Sequence, residues 1–493
     1  MRRRADRRED TRLAHPDSAG GRWLPFRDPP IISTDPFFGR ESMRIHILGV
    51  CGTFMAGIAQ LASELGHEVS GSDRQFMPPM SRLLEQARVR LYAGYDPSHL
   101  DPAPDLVLVG NVIMRGNPEL EAALDLGVDF DSGPAWLFRE VLRTRRVIAI
   151  SGTHGKTTTA ALLAHLLDQA GVDPGFLVGG VPLNFPVSAR LGLGRWFVVE
   201  ADEYDTAFFD KRPKFLHYRP RILVLNNLEH DHADLYPDLE SLEQVFHELV
   251  RTLPQAGRIV VNGQDPALIR VLERGLYTPL TRILGGEDAW LAESLDPASN
   301  RFRLNLAGRT LGPVTWDLSG LHNLANALAA LGAAEAAGVD AMRLAPALAS
   351  FRGVARRLEI VAAGRGITVY DDFAHHPTAI RATLGGVRAG LGSGRVVAVF
   401  EPRSNTMKQG IHAARLKDAF SDAQAVVVYD PGLNWNIQDA FDERARILDR
   451  ATQILPMLLS LICPGDRVVF LSNGDFAGER ERIFNGLREH LLD

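Results

Sequence analysis

The sequence contains very little cysteine, with only Cys51 and Cys463 among 493 residues. Two cysteines cannot form a disulfide framework, and such sparse use is typical of the reducing cytoplasm, where we expect the protein to act. Cys51 lies in a glycine-rich turn, and we expect it to be a small buried residue rather than a nucleophile.

Two further absences exclude classes of partner. Lysine and arginine (54) are outnumbered by aspartate and glutamate (60), which leaves a net charge of −6, whereas a nucleic-acid-binding protein needs a basic face. No stretch approaches the roughly 18 consecutive apolar residues that indicate a transmembrane helix. We therefore expect neither nucleic acid nor a membrane as a partner.

Residues 1–42 differ from the rest of the chain. Arginines at positions 2, 3, 4, 7 and 8 are followed by a proline-rich stretch without helical or strand periodicity. The stretch has no apolar segment of the kind that a secretory signal peptide carries. We expect a disordered tail or a misassigned start, with the folded chain beginning at Met43.

From Met43 onward, short apolar runs alternate with helical stretches, which is typical of βαβ units and mainly parallel sheets. At roughly 150 residues per domain, the length predicts about three domains. We place the boundaries near Thr144 and Arg356, which gives an α/β protein with domains at residues 43–144, 145–355 and 356–493.

The strongest motif is SGTHGKTTTA, which follows the predicted strand RRVIAIS and opens a predicted helix. A phosphate-binding loop needs glycines, a lysine and a hydroxyl that can hold Mg²⁺, and Gly152, Gly155, Lys156 and Thr157 supply them in that order. The loop is shorter than the common form, which would have a glycine where this chain has Ile150.

Acidic residues and histidines follow two other predicted strands. VVEADEYD places Glu200, Asp202 and Glu203 at one strand end, and VLNNLEHDHADLY places Glu229 and His232 at another. Ligands gather at the carboxyl ends of parallel strands, and carboxylates there are suitable ligands for Mg²⁺. Histidine is an unusual Mg²⁺ ligand, so a structural role for His232 stays open; the ligand spacing and the lack of a nearby cysteine disfavour zinc.

A glycine-rich turn near the start of the folded chain indicates a second nucleotide site. ILGVCGTFMAGIA contains Gly49, Gly52 and Gly57, and Asp73 follows at the end of the next predicted strand, where ribose-binding acids lie in dinucleotide folds. The glycine spacing differs from the dinucleotide fingerprint, so a nucleotide-diphosphate ligand other than NAD is favoured.

The order of these motifs resembles the Mur ligases, the ATP-dependent amide-forming enzymes of bacterial cell-wall synthesis. GTHGKTTT, EADE, NNLEHDHADLY, GLHNLANALAA, FRGVARRLE and YDDFAHHP are each similar to a block of that family. The resemblance implies a Rossmann-like N-terminal domain that holds a UDP-sugar. It also implies a central P-loop ATPase domain, and a Rossmann-like C-terminal domain that closes over both.

The resemblance also implies roles for single residues. For catalysis these are Lys156, Glu200 and His232, and for Mg²⁺ they are Thr157, Glu200 and His232. For ATP they are Gly152, Thr153, His154, Gly155, Lys156, Thr157, Thr158, Asn323, Arg357 and Asp372. For the UDP-sugar they are Gly49, Gly52, Thr53, Gly57, Ser72, Asp73 and Asn111. Without the resemblance, Arg357 is a solvated charge and Asp372 a strand-end cap.

Three further segments bear on which acceptor the enzyme would join to the sugar. EADEYDTAFFDKRPKFLHY, FEPRSNTMK and LSNGDF resemble family members that join recycled murein tripeptide to UDP-N-acetylmuramate. The peptide would meet Arg403, Ser404, Asn405 and Asn473; Asp475 stands where we expect a glycine. The alternatives are an L-alanine-adding ligase and a non-enzymatic nucleotide switch. We expect a monomer or weak dimer.

Overall fold

The computed structural model describes residues 41–231, 235–286 and 288–492. The predicted tail, except for its last two residues, and the predicted ligand His232 therefore lie outside the described residues. Among the helices that are described, none combines the length and apolar character needed to cross a lipid bilayer.

The first sheet has five strands that are all parallel. They are β1 (Arg44–Leu48), β2 (Glu68–Asp73), β3 (Arg90–Ala93), β4 (Leu106–Val109) and β5 (Phe130–Ser132), in the order β3-β2-β1-β4-β5. Their helices are α1 (Thr53–Glu64), α2 (Met80–Gln86), α3 (Pro118–Asp125) and α4 (Gly133–Glu140). The strand order reverses between β1 and β4, and ligands bind at such a switch point in doubly wound sheets.

The second sheet has seven strands in the order β14-β13-β12-β6-β9-β7-β8, and only the β7–β8 pair is antiparallel. The strands are β6 (Arg146–Ser151), β7 (Gly175–Leu177), β8 (Ala189–Arg190), β9 (Trp196–Glu200), β12 (Ile222–Leu225), β13 (Arg258–Asn262) and β14 (Leu280–Ile283). A hairpin, β10 (Asp205–Ala207) and β11 (Asp210–Pro213), lies between β9 and β12.

Five α-helices and a small antiparallel sheet complete the described residues of this part of the chain. The helices are α5 (Lys156–Gln169), α6 (Leu239–Arg251), α7 (Pro266–Glu273), α8 (Leu321–Ala336) and α9 (Ala341–Leu344). The small sheet contains β15 (Leu291–Ser294), β16 (Arg301–Leu306) and β17 (Arg309–Thr315). The alanine- and leucine-rich α8 packs in one buried apolar core with α5 and ends just before Gly338 (φ +94°).

The third sheet has six strands in the order β18-β19-β23-β20-β21-β22, with only β18–β19 antiparallel. The strands are β18 (Glu359–Gly364), β19 (Ile367–Asp372), β20 (Val396–Phe400), β21 (Ala425–Tyr429), β22 (Ala445–Leu448) and β23 (Arg467–Leu471). The helices are α10 (Pro377–Ala389), α11 (Asn405–Lys408), α12 (Ala413–Ala419), α13 (Ile454–Leu461) and α14 (Arg480–Leu492). Every residue of β20 is buried, as expected for a central strand covered on both faces.

The α/β class with mainly parallel sheets is confirmed. Each of the three large sheets takes its strands from one of the three predicted segments, which we call the N-terminal, central and C-terminal segments. The domain boundaries themselves stay predictions.

Candidate active site

The phosphate loop connects β6 to α5. Asn227 holds it from the neighbouring strand end: its carbonyl oxygen accepts from Thr153 N at 3.0 Å, and its Oδ1 accepts from His154 N at 2.7 Å. Gly152 has φ +133°, and a Cβ there would lie 2.8 Å from the Asn227 carbonyl oxygen. The loop therefore needs glycine at this position for both its conformation and its close approach.

Lys156 is the first residue of α5 and contacts two carboxylates. Its Nζ lies 3.0 Å from Glu203 Oε2 and 3.6 Å from Asp202 Oδ1. Burial disfavours its charge, but Glu203 and Asp202 outweigh that effect and raise the pKa of Lys156 above its usual range. The loop therefore carries a permanent cation close to its backbone amides.

Thr157 and Glu200 lie in direct contact. Thr157 Oγ1 donates to Glu200 Oε1 at 2.9 Å, and Gly179 N donates to Glu200 Oε2 at 2.7 Å. Burial, assisted by Asp202, raises the pKa of Glu200. A hydroxyl beside a buried carboxylate is an oxygen-ligand pair that suits Mg²⁺. Arg357 Nη2 donates to the same hydroxyl at 3.2 Å, so it contacts the loop rather than solvent.

A second group of possible ligands lies nearby. The ligand atoms of His154, Glu229 and His376 lie within 4.8 Å of one another. Burial lowers the pKa of His154 to about 3 and that of His376 well below its usual range, so both imidazoles are neutral at pH 7. Glu229 already accepts from Thr378 Oγ1 at 2.7 Å, and His376 Nδ1 accepts from Thr378 N at 3.3 Å. We therefore interpret this group as a contact between the central and C-terminal segments.

Asn323 and Asp372 approach the loop from other elements. Asn323 lies in the first turn of α8, where its Nδ2 donates to Ser319 O at 2.8 Å. Asp372 ends β19 and accepts from Leu358 N at 2.7 Å and Ala374 N at 2.8 Å, so it caps the strand end. Burial raises the pKa of Asp372 to about 6.

One cavity of about 830 Å³ brings most of the predicted residues together. It receives side chains from all three segments, and its position at the carboxyl end of the central sheet agrees with the general rule for ligand sites. The predicted residues that line it are Thr53, Asn111, Thr153, His154, Gly155, Lys156, Thr157, Thr158, Glu200, Asn323, Arg357, Asp372, Asn405 and Asn473.

A smaller cavity of about 390 Å³ adjoins the glycine-rich turn of the N-terminal segment. The predicted residues that line it are Gly49, Gly52, Thr53, Asp73 and Asn111. Asp73 Oδ2 accepts from Cys51 N at 2.9 Å, so this acid also holds the turn. Cys51 is only partly buried, which corrects our expectation, but burial raises the pKa of its thiol to about 12 and leaves it unreactive at neutral pH.

Two residues predicted for the UDP-sugar line neither of these cavities. Gly57 lies on α1, where a Cβ would be 3.0 Å from the side chain of Leu177, so its role is close packing against β7. Ser72 is fully buried and donates to Glu119 Oε1 at 2.6 Å. Both residues therefore have packing or hydrogen-bonding roles outside the two cavities.

The predicted peptide residues divide into two pairs. Asn405 and Asn473 line the larger cavity, and Asn473 Oδ1 is buried without a hydrogen-bond partner among the described residues. Arg403 is half exposed, with Nη1 3.4 Å from Asp475 Oδ1, and Ser404 Oγ caps α11 by accepting from Met407 N. The aspartate that departs from the expected glycine is thus one of two ion-pair partners of Arg403, the other being Glu401 at 3.8 Å.

Three asparagines at the site were missing from our candidate residues. Besides Asn227, Asn226 Nδ2 donates to Thr159 Oγ1 at 3.0 Å, and Thr159 Oγ1 donates to Asn326 Oδ1 at 3.1 Å. They link the phosphate loop to β12 and α8. The motifs NNLEHDHADLY and GLHNLANALAA contain these asparagines, but only the fold shows that they meet at one loop.

Three α/β sheets that converge on a phosphate loop, with a buried carboxylate beside it, define a nucleotide-dependent enzyme. Three family models match the chain: the Mur ligase family catalytic domain at residues 44–143, the Mur ligase middle domain at 150–334, and the Mur ligase glutamate ligase domain at 356–474. The chain belongs to the Mur ligase family.

Individual relatives agree with this assignment. The chain is 47% identical over 450 residues to the UDP-N-acetylmuramate–L-alanyl-γ-D-glutamyl-meso-2,6-diaminoheptandioate ligase of Escherichia coli (strain K12), covering 90% of this chain and 98% of that one. It is 34% identical to the UDP-N-acetylmuramate–L-alanine ligase of Roseiflexus sp. (strain RS-1), covering 91% and 100%. The crystal structure of a murein peptide ligase from Psychrobacter arcticus 273-4 matches with a TM-score of 0.72 and 42% identity, covering 91% and 99%.

Proposed function

We propose that the protein is an ATP-dependent ligase that joins UDP-N-acetylmuramate to the murein tripeptide L-Ala-γ-D-Glu-meso-diaminopimelate. The observation that carries this proposal is the 47% identity to the tripeptide ligase of Escherichia coli across nearly its whole length, against 34% to an L-alanine ligase. The enzyme would act in the cytoplasm on small-molecule substrates, with domains at residues 43–144, 145–355 and 356–493.

The larger cavity suits ATP and the reacting groups. The backbone amides of the phosphate loop and Lys156 would hold the β- and γ-phosphates, since a lysine at a helix N-terminus attracts anions. Asn323, Arg357 and Asp372 line the same cavity from α8 and the start of the C-terminal segment. They would contact the rest of the nucleotide.

The proposed reaction has two steps. The lactyl carboxylate of the sugar attacks the γ-phosphorus of ATP, which gives an acyl phosphate and ADP. The free amine of the tripeptide then attacks the acyl carbon, the amide bond forms, and inorganic phosphate leaves. Such phosphoryl transfer depends mainly on positioning and on stabilising negative charge, which is the task that Lys156 and Arg357 would perform.

Thr157 and Glu200 would hold Mg²⁺, because their oxygens lie together at the loop and both suit that ion. When bound, the ion supplies positive charge beside the phosphates. His232 stays a predicted further ligand.

Acceptor choice separates the proposal from its alternative, an L-alanine ligase. The tripeptide has carboxylates that alanine lacks, and Arg403 follows β20 at the carboxyl end of the third sheet. An arginine can pair with a carboxylate through two parallel hydrogen bonds. Asn405 and Asn473 would add polar contacts from the same strand ends.

The test is ATP turnover with UDP-N-acetylmuramate, measured with tripeptide, with L-alanine, and with neither. The proposal requires phosphate release that depends on the sugar and the tripeptide, with an amide product of the corresponding mass. Faster ligation of L-alanine would favour the alternative. ATP binding without turnover under every condition would indicate a nucleotide-dependent switch.

A further inference from the structure

Lys214 is a buried lysine that the site described above does not use. It follows β11, and only 4% of its surface is exposed. No residue in the described part of the chain accepts a hydrogen bond from its Nζ or forms an ion pair with it. Instead, Nζ lies 4.1 Å from the centre of the Tyr204 ring and 4.8 Å from that of Phe54.

Aromatic faces attract a cation but do not satisfy its hydrogen bonds. A lysine ammonium has three N–H donors, and leaving them unpaired in a buried place costs free energy. Burial lowers the pKa of Lys214, and Asp202 and Asp205 only partly offset that effect. An anion in contact with Nζ would satisfy the donors and favour the charged form.

The N-terminus of α1 faces the same space. The helix is 12 residues long and begins at Thr53, after Gly52, which has no side chain that could cap it. Ala56 N donates to Gly52 O, while the amides of residues 53–55 have no acceptor among the described residues. Free amides and the helix dipole make such an end attractive to anions.

Lys214 and the start of α1 line the smaller cavity together, on the side of the glycine-rich turn. The phosphate-loop residues and Glu200 line the larger cavity instead. The two cavities share Thr53, Phe54, Asn111, Val112 and Tyr204, so one extended ligand could occupy both.

We propose that Lys214, a residue of the central segment, binds the diphosphate of the nucleotide-sugar substrate against the N-terminus of α1. This inference rests on the proposed function for the identity of that substrate. The sugar carries two anionic groups, a carboxylate and a diphosphate. The carboxylate must react at the phosphate loop in the larger cavity, so the diphosphate is the group left for Lys214 in the smaller one.

The role is one of binding and positioning. Because the lysine and α1 belong to different segments, a diphosphate between them would connect the N-terminal and central segments. It would thereby fix the direction in which the rest of the sugar extends toward the loop.

The test compares Lys214→Met with Lys211→Met by calorimetric titration in the absence of ATP. Lys211 is a matched control because it is three residues away, exposed, and paired with Asp205 at 2.7 Å. The ligands are UDP-N-acetylmuramate and UDP-N-acetylglucosamine, which has the diphosphate but no lactyl carboxylate. We expect Lys214→Met to weaken both by about 10-fold or more, as loss of a charge-assisted hydrogen bond predicts, and Lys211→Met to change neither.

Kinetics give a second readout. Lys214→Met should raise KM for the sugar with little change in KM for ATP, and Lys214→Arg should recover part of the affinity. If Lys214→Met does not fold, Lys214→Gln provides the same loss of charge with polarity retained.

The possible outcomes separate this inference from the proposed function. Unchanged affinity of Lys214→Met for both nucleotides would overturn the diphosphate role of Lys214. A loss of affinity confined to UDP-N-acetylmuramate would also overturn that role, because it would assign Lys214 to the carboxylate. Ligation of L-alanine in place of tripeptide would overturn the proposed acceptor and leave a weakened diphosphate site standing. A wild-type protein that binds neither UDP-nucleotide would overturn both.

Discussion

Lys156 is held by Glu203 and Asp202, whose oxygens lie 3.0 and 3.6 Å from its Nζ. Its ammonium group would stabilise the negative charge that builds up on the phosphoryl oxygens during transfer. We expect Lys156→Ala to lower turnover by at least about 100-fold, the scale of losing one transition-state contact. Binding of the UDP-sugar should be nearly unchanged, since Lys156 does not line the smaller cavity.

The measurement is steady-state ATP turnover beside titration of UDP-N-acetylmuramate. Lys211→Met provides the control for loss of a lysine charge elsewhere. Turnover of Lys156→Ala within a few-fold of wild type would contradict the role assigned to this residue.

We expect a substitution of Arg403 to have a smaller effect on the reaction than a substitution of Lys156. About half of its side chain is exposed, and it lies 3.4 Å from Asp475 and 3.8 Å from Glu401, so a peptide carboxylate would compete with both partners. Because solvent screens such pairs, we expect Arg403→Ala to lower kcat/KM for tripeptide by about 10-fold, or roughly 1.4 kcal/mol. Titrations should give unchanged affinities for the sugar and ATP.

Two matched variants sharpen this test. Asp475→Asn removes the nearer of the two competing charges, while Glu401 stays 3.8 Å from Arg403, and it should leave tripeptide use equal or improved. Arg381→Ala, an exposed arginine 3.9 Å from Asp418, should have no effect. An unchanged kcat/KM in Arg403→Ala would remove this arginine from the peptide site.

At the scale of single elements, the end of β19 contains a carboxyl group with a displaced pKa. Burial raises the pKa of Asp372 from 3.8 to about 6. Between these pH values the folded protein binds more protons than the unfolded chain. The contribution of Asp372 to the free energy of unfolding therefore decreases as the pH rises from 4 to 6.

The variant Asp372→Asn removes this titration. Relative to wild type, its stability should increase by about 2–3 kcal/mol between pH 4 and pH 7, since each pKa unit corresponds to about 1.4 kcal/mol. Thermal melting of both proteins across this pH range measures the difference. A stability difference that is constant with pH would show that Asp372 titrates normally. Asp418→Asn, which changes an exposed aspartate, is the control.

The elements that the sequence predicted best are those whose burial is complete. VVAVF in β20 and ILVL in β12 are apolar throughout because helices cover both faces of the sheet. β3 and β5 lack such a continuous apolar pattern, because they are short edge strands with mixed side chains and partial exposure. Their pairing depends on the neighbouring strand rather than on their own composition.

At the scale of the whole molecule, local motifs located the phosphate loop, and the family resemblance supplied Asn323, Arg357 and Asp372. Neither source indicated Lys214 as a lining residue of the smaller cavity, because no sequence pattern distinguishes a buried lysine from an exposed one. Such contacts depend on how segments distant in the chain pack together, and only the fold provides that information.

One contact of this kind joins the central and C-terminal segments. Glu229, which follows β12, accepts from Thr378 Oγ1 at 2.7 Å and lies 3.6 Å from Arg415 Nη2. Arg415 also donates to the Thr378 hydroxyl at 3.1 Å. The hydroxyl therefore bridges the two charged groups, and Glu229 and Thr378 both line the larger cavity.

We expect Thr378→Val to weaken the closure of the C-terminal segment over ATP. Loss of one hydrogen bond to a charged group corresponds to about 1.5 kcal/mol, so KM for ATP should rise about 10-fold, while KM for the UDP-sugar changes little. The same-size exchange Thr368→Val, in β19, is the control. If Glu229 and Thr378 act as one unit, adding Glu229→Gln to Thr378→Val should raise KM for ATP by less than the product of the two single effects. Fully multiplicative effects, or an unchanged KM in Thr378→Val, would mean that this contact does not hold the segments together.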